Sequence, residues 1–256
     1  MVTLKKDHEI QIMKQAGRVV ADVLRLLEEL IRPGVDTLSL DRAAEDLIRR
    51  SGGIPATKGY RVPGIATAYP ASLCTSINDE VVHGIPRSDL ILEEGDIISV
   101  DVVVGVGRYY GDAARTYGVG AISEERQRLL QVTHDSLHRA LAVVRGGATL
   151  GDVGYAVESY IKPRGFGLVR DYAGHGIGRH MHEPPQIPNY GKPGRGMVLK
   201  PGMTLAIEPM VMAGEERVVT KPDGWTVVTA DGSDAAHFEK TVLVTPEGAE
   251  ILTPWE

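Results

Sequence analysis

The chain has 256 residues, 43% of them apolar and 24% charged, with a net charge of −6. That length can bury a sizeable core, while scattered Lys and Arg leave no basic patch for direct recognition of nucleic acid. The single cysteine, Cys74, excludes an intramolecular disulfide framework and any CxxC metal site.

In chain order, the opening "MVTLKKDHEIQIMKQAG" has charges every few residues and lacks the apolar stretch of a signal peptide. No uncharged apolar run approaches the roughly 18 residues of a membrane span. The sequence therefore reads as a cytoplasmic protein with no membrane partner. Residues 7–31 form an amphipathic pattern, with Asp7 as N-cap, Ile10, Met13, Val20, Leu24 and Leu27 along one stripe, and Pro33-Gly34 as the stop. A second helix is predicted over about 38–51. The β-branched runs "DIISVDVVV" and "RTYGVG" follow as strands. Two further helices are predicted, over about 124–144, opened by Ser123 with two acids in its first turn, and about 150–162. The strands "MTLAIEPMV", "WTVVT" and "KTVLVT" complete the pattern.

Two segments resemble each other. "LEEGDIISVDVVV" starts at Leu92 and "LKPGMTLAIEPMV" at Leu199, 107 residues later, and each has a carboxylate after a small apolar run. Upstream, Gly34, Ala43, Glu45, Ile48 and Gly52 recur as Gly147, Ala156, Glu158, Ile161 and Gly165, 113 residues later. Together these matches predict two helix–helix–strand halves related by duplication. With no linker between them, a single domain over 1–256 is expected, with pseudo-halves of about 1–118 and 119–256 and a site at the seam.

Acids stand in strand contexts four times: Asp101, Asp112, Glu208 and Glu239. An unpaired carboxylate inside an apolar strand costs several kcal/mol. Taken singly, each has a bland reading as a strand-edge acid, a turn residue, or an exposed Glu beside Lys240. Together their flanks are too apolar for four solvated faces. If they converge, each pair about 4 Å apart repels by roughly 4 kcal/mol at an effective dielectric near 20. Two divalent cations would cancel that charge.

The stretch "DYAGHGIGRHMHEPP" supplies three histidines. His175, between Gly174 and Gly176, is the best candidate to complete a metal shell, since one nitrogen among oxygens suits Mn, Fe(II), Co or Zn. His182 is better placed to face a substrate, and His180 has an equal claim to be a surface residue. His83, in "NDEVVHGIP", stands at a turn before Gly84.

With these residues in hand, the chain resembles the type I methionine aminopeptidases, within metallopeptidase family M24 and in its short bacterial-style form. The motifs are "NDEVVHGIP", "SVDVVV" with "GDAART", "GHGIGRHMHEPP", "LKPGMTLAIEPM" and "DGWTVVTADGSDAAHFEKTVLVT". The resemblance implies an α/β (α+β) pita-bread fold, two pseudo-symmetric halves around a curved antiparallel sheet. It implies two divalent metal ions: Asp101 chelates one, Asp112 and Glu239 bridge the pair, and His175 and Glu208 complete the other. A water or hydroxide between the ions is then the nucleophile, Glu208 relays its proton, and His83 and His182 bind the substrate and stabilise the tetrahedral intermediate. Tyr69, Cys74, His83, Met181 and Trp225 would form the methionine pocket. The implied partners are peptide and nascent-protein N-termini, with the ribosome near its exit tunnel, acting on a monomeric enzyme.

Before "YPAS" this chain departs from the family pattern. "GYRVPGIATAYP" carries several inserted residues and puts Ala66 near a position where an aromatic is common. The alternatives are a prolidase-like Xaa-Pro peptidase, argued against by the short chain, and a non-catalytic binding protein on the same fold, argued against by the full ligand set.

Overall fold

The computed structural model describes residues 2–256. Among the described residues there are four α-helices, α1 (Asp7–Leu30), α2 (Thr37–Arg50), α3 (Glu124–Val143) and α4 (Leu150–Ile161). The strands before α3 are β1 (Ile54–Pro55), β2 (Leu73–Ile77), β3 (Glu80–Val82), β4 (Ile97–Val106) and β5 (Tyr109–Gly118). After α4 come β6 (Gly167–Leu168), β7 (Gly174–Gly176), β8 (Glu183–Ile187), β9 (Thr204–Ile207) and β10 (Met210–Met212). The remaining strands are β11 (Val218–Thr220), β12 (Val227–Thr229), β13 (Ala235–His237), β14 (Lys240–Val244) and β15 (Ala249–Ile251).

Helix caps decide where the helices begin. Asp36 caps α2 by accepting the Ser39 N–H, and Ser123 caps α3 by accepting that of Arg126. In α4, Thr149 and Asp152 cap each other's backbone reciprocally. One expected cap is corrected: Lys6, not Asp7, is the N-cap of α1, and the Glu9 carboxylate accepts the Lys6 N–H at 2.7 Å. Asp7 falls in the first turn, where its charge still opposes the helix dipole. The predicted stripe Ile10, Met13, Val20, Leu24 and Leu27 is buried, and α1 packs on β4 and β5 while α3 packs on α4 and β13. Among the described residues no helix is long and apolar enough to cross a membrane.

Every strand pair is antiparallel. One sheet has β4 at its centre, flanked by β5 on one side and by β1 and β2 on the other. A five-stranded sheet runs β15–β14–β9–β7–β8, and two three-stranded sheets run β13–β10–β6 and β11–β12–β3. The single strand expected over "MTLAIEPMV" is two: β9 pairs with β14 and β7, whereas β10 pairs with β13 and β6. The break falls at Glu208-Pro209, where proline has no N–H to continue a ladder. The run from Ala235 to Val244 breaks at the facing place, around Phe238-Glu239.

These paired breaks join the sheets. Thr116 Oγ1 donates to the His237 carbonyl and accepts the His237 N–H, both at 2.9 Å. The Glu239 N–H donates to the Ala114 carbonyl at 2.9 Å. Thr241 Oγ1 donates to the Asp112 carbonyl at 2.8 Å and accepts the Asp112 N–H at 3.1 Å. The contacts advance in steps of two along both chains, so one edge of β5 is stitched to the 237–241 run.

Candidate metal centre and substrate cavity

Register places the acids. Asp101 on β4 lies opposite Ala114 of β5, and Asp112 on β5 lies opposite Val103 of β4, so the two aspartates are diagonal neighbours on one face. His175 on β7 lies opposite Ala206 of β9, and Ala206 opposite Thr241 of β14. Alternation then turns His175, Glu208 and Glu239 to the same side. The seam brings this face to the aspartates: His175 Nε2 is 3.6 Å from Asp112 Oδ2 and 3.7 Å from Glu208 Oε1. Donor atoms of Asp112, His175 and Glu239 all lie within 4.8 Å of one another.

Glycine permits this approach. A Cβ on Gly174 would stand 2.5 Å from the Ala206 carbonyl oxygen, and one on Gly176 would stand 2.3 Å from that of Pro184. His175 is thus held between two backbones that touch its neighbours, and its Nδ1 is 2.9 Å from the Gly176 carbonyl. That contact fixes Nδ1 as the protonated nitrogen and leaves Nε2 free as a donor to a metal.

The carboxylates are in a costly state without a cation. Asp101 Oδ1, Asp112 Oδ1 and Glu239 Oε1 are buried with no hydrogen-bond partner. Burial pushes the Asp101 carboxyl up to about 6. Burial and the neighbouring acids push Asp112 and Glu239 well above the usual range. Burial also opposes ionisation of Glu208, but the His237 imidazole 3.4 Å away and the other nearby imidazoles outweigh it and leave that carboxyl below its ordinary value. Orphaned oxygens from three acids, the Glu208 carboxylate beside them and one free imidazole nitrogen are the donor set that divalent cations satisfy. The bland reading of Glu239 as an exposed acid fails, since it is 2% exposed.

Asp101, Asp112, His175, Glu208, Glu239, His83, His182, Tyr69, Cys74, Met181 and Trp225 all line one cavity of about 480 Å³. His180 is exposed and outside it. At the apolar end Tyr69 and Trp225 meet edge to face, with ring centroids 5.2 Å apart, beside Cys74. The Cys74 thiol is pushed up by burial, so it is a neutral wall rather than a nucleophile. His83 adopts a left-handed φ of 61°, a conformation rare outside glycine. Its turn is anchored by the Tyr69 hydroxyl, 2.7 Å from the Gly84 carbonyl. Burial holds both His83 and His182 near a pKa of about 4, so each is a neutral imidazole at pH 7.

Two cavity residues, Tyr60 and Tyr172, and the buried His237 that contacts Glu208 escaped the sequence reading. His237 Nε2 lies 3.4 Å from Glu208 Oε2, and its position two residues before Glu239 was the available signal. Tyr172 packs edge to face on His83. The Tyr60 hydroxyl is 2.6 Å from His182 Nδ1. Tyr60 also shows what becomes of the inserted segment. The Tyr69 N–H donates to the Tyr60 carbonyl at 2.8 Å, clamping the loop between them, so that it extrudes with Ala66 exposed. Ile65 of that loop folds back onto the Tyr69–Trp225 cluster as apolar rim.

The profile of metallopeptidase family M24 matches residues 11–246. The chain is 50% identical over 253 residues to a methionine aminopeptidase of Clostridium acetobutylicum, covering 99% of both chains. It is 46% identical to methionine aminopeptidase 1 of Bacillus subtilis, again covering 99% of both. A crystal structure of methionine aminopeptidase from Thermotoga maritima superposes with a TM-score of 0.95 at 47% identity, covering 99% of each chain. An Xaa-Pro dipeptidase from Bacillus anthracis shares the fold alone, with a TM-score of 0.74 at 23% identity, and the chain spans 62% of it. With the buried donor set gathered at the seam of its sheets, and with that match along nearly its whole length, the chain belongs to metallopeptidase family M24.

Proposed function

We propose that this chain is a metal-dependent methionine aminopeptidase that removes the initiator methionine from peptides and nascent proteins when the second residue is small, acting as a monomer in the cytoplasm. The observation that carries the reading is the union, in one cavity, of five metal-type donors with an apolar end built by Tyr69, Cys74, Met181 and Trp225. That end suits a flexible thioether side chain.

The donor set has the composition for two divalent ions, with Co, Mn, Fe(II) and Zn all compatible. Asp101 would hold one ion, Asp112 and Glu239 would bridge, and His175 with Glu208 would complete the other. Bound there, the cations supply an acidified water and polarise the scissile carbonyl. Glu208, kept ionised by His237, accepts the proton and relays it to the leaving amine. A Tyr60 hydroxyl that donates to His182 Nδ1 leaves the proton on Nε2, a hydrogen-bond donor for developing charge on the carbonyl oxygen. His83, on its strained turn, serves as the second substrate contact. The chain acts as one domain, with pseudo-halves of about 1–118 and 119–256 meeting at the cavity.

The test is release of free methionine from Met-Ala-Ser and Met-Leu-Ser peptides with Mn(II) or Co(II). Release from the first and far less from the second is expected. No methionine under any divalent metal overturns the reading, and cleavage of Xaa-Pro peptides but not Met-Ala-Ser assigns a prolidase instead.

A further inference from the structure

A second group of metal-type donors lies outside the catalytic cavity. His134 and His138 stand one turn apart on α3, on the same side of the helix. Their Nε2 atoms are 3.2 Å apart, and Glu256 Oε1 is 3.1 Å from the first and 2.9 Å from the second. Around an ion held tetrahedrally by bonds of about 2.0–2.1 Å, ligand atoms are separated by about 3.3 Å. The triangle formed by these three atoms is close to one face of such a tetrahedron.

The donors are also held in place. His134 meets Phe238 edge to face, with centroids 5.4 Å apart, and lies against His138 at 4.5 Å. The other oxygen of Glu256 is 3.4 Å from the buried Lys240 ammonium, which restrains the carboxylate from behind. The three side chains are 32%, 40% and 46% exposed, which leaves room for water as a fourth ligand. His134 and Glu256 line a cleft of about 790 Å³ that shares no residue with the catalytic cavity. Two Nε2–H imidazoles can both donate to Glu256, but then two protons face each other across the 3.2 Å His134–His138 edge, whereas a cation satisfies all three corners.

We propose that His134, His138 and Glu256 form a separate surface site for a zinc-like divalent transition-metal ion, held by two imidazole nitrogens, one carboxylate oxygen and water. Two nitrogens among three protein ligands favour Zn(II) over the oxygen-preferring Mn(II), so this site and the oxygen-rich catalytic one differ in preference. The site stands on its own geometry and does not depend on the activity proposed above.

Equilibrium dialysis against Zn(II) tests it on the intact protein, the H134A/H138A double variant and E256Q. The double variant is expected to bind one zinc equivalent fewer per chain. E256Q, which keeps both imidazoles, is expected to bind that equivalent at least about tenfold more weakly. Peptide turnover at saturating Mn(II) and the metal-free melting temperature should stay at the unsubstituted values. Equal zinc content and affinity in all three proteins overturns the proposal and reduces the cluster to a hydrogen-bonded contact. Should the double variant melt lower without metal, E256Q decides alone: weakened zinc binding supports the site and unchanged binding overturns it.

Discussion

At the scale of single residues, burial pushes most titratable groups of the cavity toward their uncharged form, and the charged form needs a partner. Asp112 carries an unpartnered buried oxygen, and burial and its acidic neighbours push its carboxyl up. D112A should therefore abolish peptide turnover and weaken metal binding by more than the 10- to 100-fold typical of losing an outer contact. The metal-free fold should persist, because a source of repulsion has been removed. Titration with Mn(II) and circular dichroism check the two halves of that statement, and retained turnover would contradict the bridging role. Tyr60 has a subtler part in the proposed mechanism: when its hydroxyl donates to His182 Nδ1, the imidazole proton stays on Nε2. Y60F should lower kcat/KM by about 2- to 10-fold, the loss of one hydrogen bond worth about 0.5–1.5 kcal/mol, with metal content unchanged. Steady-state kinetics with a Met-Ala peptide measures it.

At the scale of elements, the helices serve the site indirectly. Glu9 in the first turn of α1 is only 5% exposed. It accepts hydrogen bonds from the Lys6 backbone, from the Tyr109 hydroxyl of β5 and, at 2.7 Å, from Arg179. Arg179 belongs to the segment that ends in His182, so this network ties α1 to the loop that faces the substrate. The Lys6 N–H first, then Tyr109 and Arg179, hold the Glu9 carboxyl down to about 2 from its ordinary 4.5. A depressed carboxyl stabilises the fold above pH 4.5, and the contribution fades as pH falls toward 2. E9Q should therefore cost about 1 kcal/mol at pH 7, less than the full shift implies because the Arg179 side chain is 67% exposed and screened. The gap between E9Q and the unsubstituted protein should close as pH approaches 2, as measured by urea unfolding across that range. A constant gap would show that the carboxylate charge is not what holds α1 to the loop.

At the scale of the whole molecule, the donors come from strands and strand breaks on both sides of the seam, so a cation bound there crosslinks the sheets. Binding to the folded state alone stabilises by about 2.7 kcal/mol at a metal concentration 100-fold above Kd. For a chain of this size that corresponds to a rise of about 5–10 °C in melting temperature. Mn(II) should produce such a rise in the unsubstituted protein and little in D112A, by differential scanning fluorimetry. Equal rises in both would place the stabilising ion elsewhere.

Much of this was already legible in the chain. The four helices and the strands β4, β5, β9, β10, β12 and β14 follow from apolar periodicity, caps and stops, which are local properties, whereas the short strands such as β2, β7 and β8 carry no such pattern and were not predicted. The error at Asp7 is a one-residue shift of the cap. The metal donors could be singled out because each is anomalous in its own surroundings, an acid in an apolar strand or a histidine between glycines, whereas Tyr69, Cys74, Met181 and Trp225 came only from the family resemblance. Tyr60 and Tyr172 carry no such anomaly, since a tyrosine in a loop is ordinary until it meets an imidazole from another part of the chain. His237 had a signal in its alternation with Glu239, but only once Glu239 was known to face inward. Composition and pattern therefore determined the helices, the longer strands, the family resemblance and the candidate donors. Tertiary structure alone decided that β9 and β14 break opposite each other, that β5 is stitched to the 237–241 run, and that the inserted loop is extruded while Ile65 closes the rim. Those outcomes depend on hydrogen bonds and packing between segments that meet only in the fold, such as Asp112 and Thr241, 129 residues apart, and no local pattern encodes them.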